Sequence, residues 1–176
     1  MRGRDHLILG AALGAGMALA VKGPTSQGAI GIMMPCILGS IYPDIDLPDS
    51  TLGFFLRPLS EPLNHFFGHR GFVHSPLHLF LLACLFNWIL SPLIFSEYLV
   101  TSFVIGYLAH LIQDTFTRGG VPWLWPFNYK FHFSDLSSNN PIWSIGTAVV
   151  SAVILALALL RPSVLNNCFM GVYRLF

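Results

Sequence analysis

Five stretches of this chain contain no Asp, Glu, Lys or Arg: residues 7–21, 28–41, 77–95, 98–113 and 142–160. Backbone placed in hydrocarbon must satisfy its own hydrogen bonds, and runs of this kind read as helices. A spanning helix needs about 20 residues, within a range near 17–25. The third and fifth stretches reach that length, and the fourth does if it runs on to Thr117. The first two are shorter and fit a tight hairpin or a re-entrant pair. Gly10 and Gly14 in the first stretch suit close helix packing, although small residues there are also simply tolerated. Charged residues make up 10% of the chain, against ~25% in soluble domains. Hydrophobic residues make up 54%. The expectation is an all-α integral membrane bundle with four to five apolar helices. It forms one domain over residues 1–176, since no repeat, low-complexity tract or linker divides it.

The formal net charge of +1 argues against a nucleic-acid binder, which usually carries a basic stripe. Cys36, Cys84 and Cys168 are far apart and show no CxxC spacing; Cys36 and Cys84 read as small apolar helix residues. Arg2 and Arg4 before an apolar run suggest a signal peptide, but Asp5 and His6 interrupt it. A retained first helix is the better reading.

Five spans place Arg2, Arg4, Arg57, Arg70, Arg118 and Lys130 on one side, and Lys22, Arg161 and Arg174 on the other. That bias predicts a cytoplasmic N-terminus. Trp123, Trp125 and Tyr129 lie beyond the fourth stretch, where aromatic belts form. Ser75-Pro76 reads as a helix start.

In this layout the polar residues converge. His6 precedes the first stretch, and Asp44 and Asp46 follow the second. His69 and His74 precede the third, and His110 and Asp114 end the fourth. All of these ends face one side of the bundle. His110 and Asp114 are four apart and share a helix face. An Asp near mid-bilayer costs ~3 kcal/mol, less near the interface, and a bound cation or buried partner offsets that cost. Asp44-x-Asp46 follows Pro43, where a regular helix is not expected to continue; an extended Asp-x-Asp points both carboxylates to one side. Mixed imidazole and carboxylate donors suit Zn, Mn or Fe, and carboxylate-rich subsets also suit Mg. Taken singly, these pairs also read as a hydrogen-bonded helix pair, turn residues and interfacial histidines, with Arg70 as a positive-inside residue. Their convergence favours a metal or acid–base site. His65 and His78 lack a telling partner, with His78 placed for a supporting role. His132 and Asp135 read as surface residues, Glu61 and Glu97 as loop residues, and Asp49 as a helix cap.

The residues Asp5-His6, Tyr42-Pro43-Asp44-Ile45-Asp46, Phe67 to Ser75, Gly106 to His110 with Asp114, and Gly120-Val121-Pro122 with Leu124-Trp125-Pro126 carry a resemblance. The chain resembles the YdjM-type family, described as LexA-binding, inner-membrane-associated, predicted metal-dependent hydrolases. The resemblance covers roughly residues 5–130, and the C-terminal helix at 142–160 carries no matching motif. It implies a bacterial inner-membrane protein, control by the DNA-damage (SOS) response, and metal positions at His6, Asp44, Asp46, His69, His74, His110 and Asp114.

The function expected is hydrolysis of a phosphoester by a metal-activated water. Seven candidate ligands favour two divalent ions. Arg70 is placed to stabilise phosphate oxygens, and His74 to act as general acid. A lipid-linked substrate is suggested only by where the site lies. A metal or proton transporter would need ionisable residues through the bilayer depth, whereas here they gather at one end. A regulatory or structural membrane subunit, with polar groups that only staple helix ends, would bind no metal.

Overall fold

The structure is a computed structural model that describes residues 1–21, 26–90, 98–127 and 129–174. Among them it is all-helical, with one isolated bridge between Val121 and Phe131. The helices are α1 (Gly3–Ala20), α2 (Ser26–Ile41), α3 (Thr51–Phe55), α4 (Arg57–Phe67), α5 (Pro76–Leu90), α6 (Leu99–Thr115), α7 (Pro141–Leu160) and α8 (Pro162–Tyr173). Short 3-10 turns cover Tyr42–Asp46 and Phe72–His74.

Local chemistry sets several of these boundaries. Ser75 Oγ accepts the amide of His78 at 3.1 Å and Pro76 opens α5, as the Ser-Pro pair predicts. Asn140 caps α7 through the amide of Ile142, at 3.0 Å. The cap expected at Asp49 falls one residue later, on Ser50, whose hydroxyl accepts from Gly53 N at 2.9 Å. Pro43 has no amide to extend α2, so the chain tightens into the 3-10 turn. Helix α1 starts at Gly3, ahead of the apolar run, so Asp5 and His6 lie in its first turn. Residues 91–95 of the third apolar stretch, together with Lys22 and Glu97, fall outside the described residues.

Helix α2 packs against both α1 and α6, and α1 packs against α7. The α2–α6 approach is set by glycine. A Cβ on Gly39 would stand 2.1 Å from Phe103 O, and one on Gly106 would stand 2.0 Å from Cys36 O. The two backbones therefore touch. Gly10 and Gly14 let α1 meet Ser40 and Met33 of α2 in the same way. Apolar clusters fill the remaining space. Leu79, Phe103, Tyr107 and Leu111 lie between α5 and α6, and Met17, Ile32, Cys36 and Phe169 link α1, α2 and α8.

The polarity of the whole is inverted relative to a soluble domain. Asp5, His6, Asp46, Arg70, His74, His110 and Asp114 are all buried, whereas Phe80, Trp88, Ile145 and Leu159 are more than half exposed. Two stretches, Gly28–Asp46 and Pro141–Leu160, are long and apolar enough to cross a membrane. Only 17% of the second is buried, which is not how the core helix of a soluble protein sits.

Candidate metal centre

The first turn of α1, the 3-10 turn after α2, the loop before α5 and the end of α6 meet at one end of the bundle. Three groups of donors lie there with all their atoms within 4.8 Å: His6, His110 and Asp114; Asp44, His74 and His110; Asp46, His69 and His74. Together they use all seven ligand candidates read from the sequence, and no other residue among those described.

At the middle stand four atoms from three segments, two of them from α6. His74 Nε2 and His110 Nε2 are 3.3 Å apart. Asp44 Oδ1 lies 3.9 Å from the first and 3.7 Å from the second. Asp114 Oδ2 lies 3.8 and 3.7 Å from the same two nitrogens. Ligand atoms around a tetrahedral ion with bonds of ~2.0–2.1 Å stand ~3.3 Å apart, and these five spacings are close to that, although Asp44 and Asp114 share no group of donors within 4.8 Å. Asp44 is the member of the four with appreciable exposure, at 15%; the others are sealed.

The far side of each imidazole is tied down. His110 Nδ1 lies 2.7 Å from the carbonyl of Ser40 and donates to it. His74 Nδ1 lies 2.9 Å from Asp46 Oδ2. Such outer partners fix the ring and direct Nε2 inward. Burial holds the His74 imidazole below its ordinary value, against the opposing pull of Asp46. It is therefore neutral at neutral pH, the state a metal ligand requires. Asp46 also meets His69 Nδ1 at 2.8 Å and accepts the Arg70 amide at 3.1 Å. It thus sits behind two histidines rather than among the four central atoms.

Asp114 faces two ways. Its Oδ2 receives Arg70 Nη2 at 2.8 Å. Its Oδ1 pairs with the Met1 ammonium and lies 3.4 Å from His6 Nε2. That nitrogen is buried and has no hydrogen-bond partner, although Nδ1 of the same ring meets Gln113 Oε1 at 2.8 Å. An orphaned buried imidazole nitrogen beside a carboxylate suits a cation, and the Met1 ammonium stands in for positive charge at that carboxylate. His6 also stacks on His110, with ring centroids 3.8 Å apart. The donor set at the centre fits a divalent ion.

Arg70 is the other organising residue. It has φ 59°, the left-handed region, and is buried. Its guanidinium donates to Thr117 Oγ1 at 2.8 Å and Ser138 Oγ at 3.3 Å besides meeting Asp114. Gly119 leaves the space for it, since a Cβ there would meet Nη1 at 2.1 Å.

Several partners escaped the sequence reading. Gln113 was a visible polar interruption of an apolar helix, and it bridges His6 to Thr147. Asp5, buried and bonded by Ser144 at 2.9 Å, stood next to His6 in the sequence. Thr117 and Ser138 gave no signal. His78 meets Tyr107 Oη at 2.9 Å, and Tyr107 donates to the carbonyl of Val73 just before His74. His132 and Asp135 lie on the surface as expected.

The family model described as YdjM inner membrane protein matches residues 1–176. The inner membrane protein YdjM of Escherichia coli (strain K12) is 40% identical over 106 residues, 60% of this chain and 54% of that protein. The uncharacterized protein YvsG of Bacillus subtilis (strain 168) is 32% identical over 128 residues, 72% of this chain and 74% of its own. The inner membrane protein YbcI of Escherichia coli (strain K12) is 31% identical over 105 residues, 56% of this chain and 55% of its own. The chain spans about half the length of the two inner membrane relatives. No solved structure matches. Inverted polarity, two candidate spans and a family match over its whole length agree: the chain belongs to the YdjM inner membrane protein family.

Proposed function

We propose that this protein is a metal-dependent phosphoester hydrolase whose site faces the cytoplasmic side of a multi-pass bundle. The observation that carries the reading is the set of Asp44, His74, His110 and Asp114, in which both carboxylates lie 3.7–3.9 Å from two imidazole nitrogens that are 3.3 Å apart, with a fixed outer partner for each imidazole. These four residues would hold a first ion, and His6 with Asp114 Oδ1 would hold a second in place of the Met1 ammonium. When bound, divalent metal supplies Lewis acidity and makes water nucleophilic near neutral pH.

The chain's own residues supply the rest. Arg70 presents a planar fork at the edge of the centre, suited to phosphate oxygens. Asp46 keeps His74 in the tautomer that ligates through Nε2. His74 is sealed, so the general-acid role considered for it passes to His69. His69 is 34% exposed, borders the neighbouring cavity and is backed by the same Asp46. It can give a proton to a leaving oxygen.

The test is turnover of p-nitrophenyl phosphate by protein reconstituted with Zn, Mn, Fe or Mg. His69→Ala should lower turnover by ~100-fold or more, within the usual range for general acid catalysis, and leave metal content unchanged. Metal-loaded wild-type protein with no turnover of any phosphoester would remove the hydrolase reading and favour an ion-handling protein.

A further inference from the structure

Beside the centre lies a cavity of about 720 Å³. Its lining is of two chemistries. One part is polar: Asp44, His69 and Arg70 of the centre, with Arg2 and Arg4. The start of α1 belongs to this part: Arg2 gives its helix no side-chain cap, and Gly3 brings bare backbone near Asp44, with Oδ2 only 3.9 Å from where a Cβ would stand. Three guanidinium groups and uncapped amides favour an anion, even with the Asp44 and Asp49 carboxylates in the same lining and with Arg2 donating to Asn139 O at 2.7 Å, Arg4 3.8 Å from Asp5 Oδ1 and Arg70 paired with Asp114. The rest of the lining is largely hydrocarbon, with Leu7 and Ile8 of α1, Leu47 beyond α2 and Leu52 of α3, interrupted by the hydroxyl side chains of Ser50, Thr51 and Ser138. Leu7 and Ile8 are each 45% exposed, so the cavity wall runs on into the apolar outer surface of α1.

Volume separates the candidate ligands. A phosphate group occupies only a few water volumes of ~30 Å³ and would leave most of this space unfilled. The cavity falls within the ~300–1,000 Å³ of sites that enclose a larger ligand. A soluble sugar phosphate would lay hydroxyls against the leucines. An amphiphile matches both parts of the lining.

We propose that the cavity binds a lipid phosphate, with the phosphate against Arg2, Arg4 and Arg70 and one hydrocarbon tail along Leu7, Ile8, Leu47 and Leu52. This deepens the hydrolase reading, and rests on it only in taking a phosphoryl group as what is presented to the centre.

Binding of two non-hydrolysable probes, methylphosphonate and dodecylphosphonate, to the full chain in nanodiscs tests the proposal, with empty nanodiscs subtracted. The dodecyl probe should bind on the order of 100-fold more tightly, the gain from burying a few methylenes. The double variant Leu47→Ser, Leu52→Ser should lose at least ~10-fold of that gain with methylphosphonate binding unchanged. Arg2→Gln with Arg4→Gln should weaken both probes. Equal affinity for the two probes would assign the cavity to free phosphate and overturn the proposal. A tail gain that survives the Leu47/Leu52 double variant would place the tail in bulk lipid and overturn it too. Turnover of p-nitrophenyl phosphate in the same samples reads the hydrolase separately. Turnover with no tail preference removes only the lipid site, and tail-dependent binding without turnover removes only the hydrolase.

Discussion

Asp46 accepts three hydrogen bonds, from His69, His74 and the Arg70 amide, at 2.8, 2.9 and 3.1 Å. Its charge holds His74 in register, while its shape holds the loop. Asp46→Asn keeps the shape and loses the charge. It should fold and bind metal ~10–100-fold more weakly, the usual effect of losing an outer-shell carboxylate, as read by metal titration. Unaltered affinity would show that Asp46 only braces the loop. Arg70 carries a different burden. Its left-handed backbone costs about 1–3 kcal/mol, and its buried guanidinium compensates Asp114. Arg70→Ala leaves that carboxylate with the Met1 ammonium as its remaining cationic partner, so the protein should lose up to about 3–5 kcal/mol of stability, measured by denaturant unfolding in detergent without metal. Arg70→Gly should be less damaging than Arg70→Ala, because glycine accepts the backbone angle freely.

At the level of elements, the centre depends on how closely α2 and α6 approach. Ser40 O comes from the end of α2 and Asp44 from the 3-10 turn that follows it, and His110 and Asp114 come from the end of α6. Gly106→Ala puts a methyl 2.0 Å from Cys36 O and must push the helices apart. It should destabilise by about 1–3 kcal/mol and weaken metal binding. Gly146→Ala in α7 meets nothing within 4 Å and should be neutral or stabilise by up to about 1 kcal/mol. Equal effects of the two substitutions in thermal unfolding would contradict this packing account. The elements were unevenly legible in the sequence. The apolar stretches marked α1, α2, α5, α6 and α7 because an absence of charge over a helix length is unambiguous. Helix α4 was hidden by Pro58 and Pro62, residues that break helices in general; Pro58 is tolerated because it lies in the first turn. Helix α8 was hidden by its mixed composition. The seven donors were legible because they fell at segment ends that a topology could align. Thr117, Ser138 and the Ser40 carbonyl were not, since nothing local distinguishes a hydroxyl or carbonyl that serves a distant side chain.

For the whole molecule, buried polar groups and an apolar exterior require a non-aqueous surround, in keeping with an inner membrane family. The proposed orientation puts the centre and the loop after α6 in the cytoplasm. Asp135 in that loop is 95% exposed. With the native cysteines replaced, Asp135→Cys should react with a membrane-impermeant maleimide in inverted vesicles and not in intact spheroplasts. The reverse pattern would invert the topology and leave the site geometry untouched.

The central claim is that Asp44, His74, His110 and Asp114 form a metal centre, and metal analysis of the purified protein tests it most directly. The account predicts stoichiometric divalent metal in the wild type. His110→Ala should abolish it while the helical circular dichroism is retained, and His6→Ala should lower the metal content without eliminating it. Folded wild-type protein that stays metal-free, and takes up none of Zn, Mn, Fe or Mg when these are supplied, would contradict it.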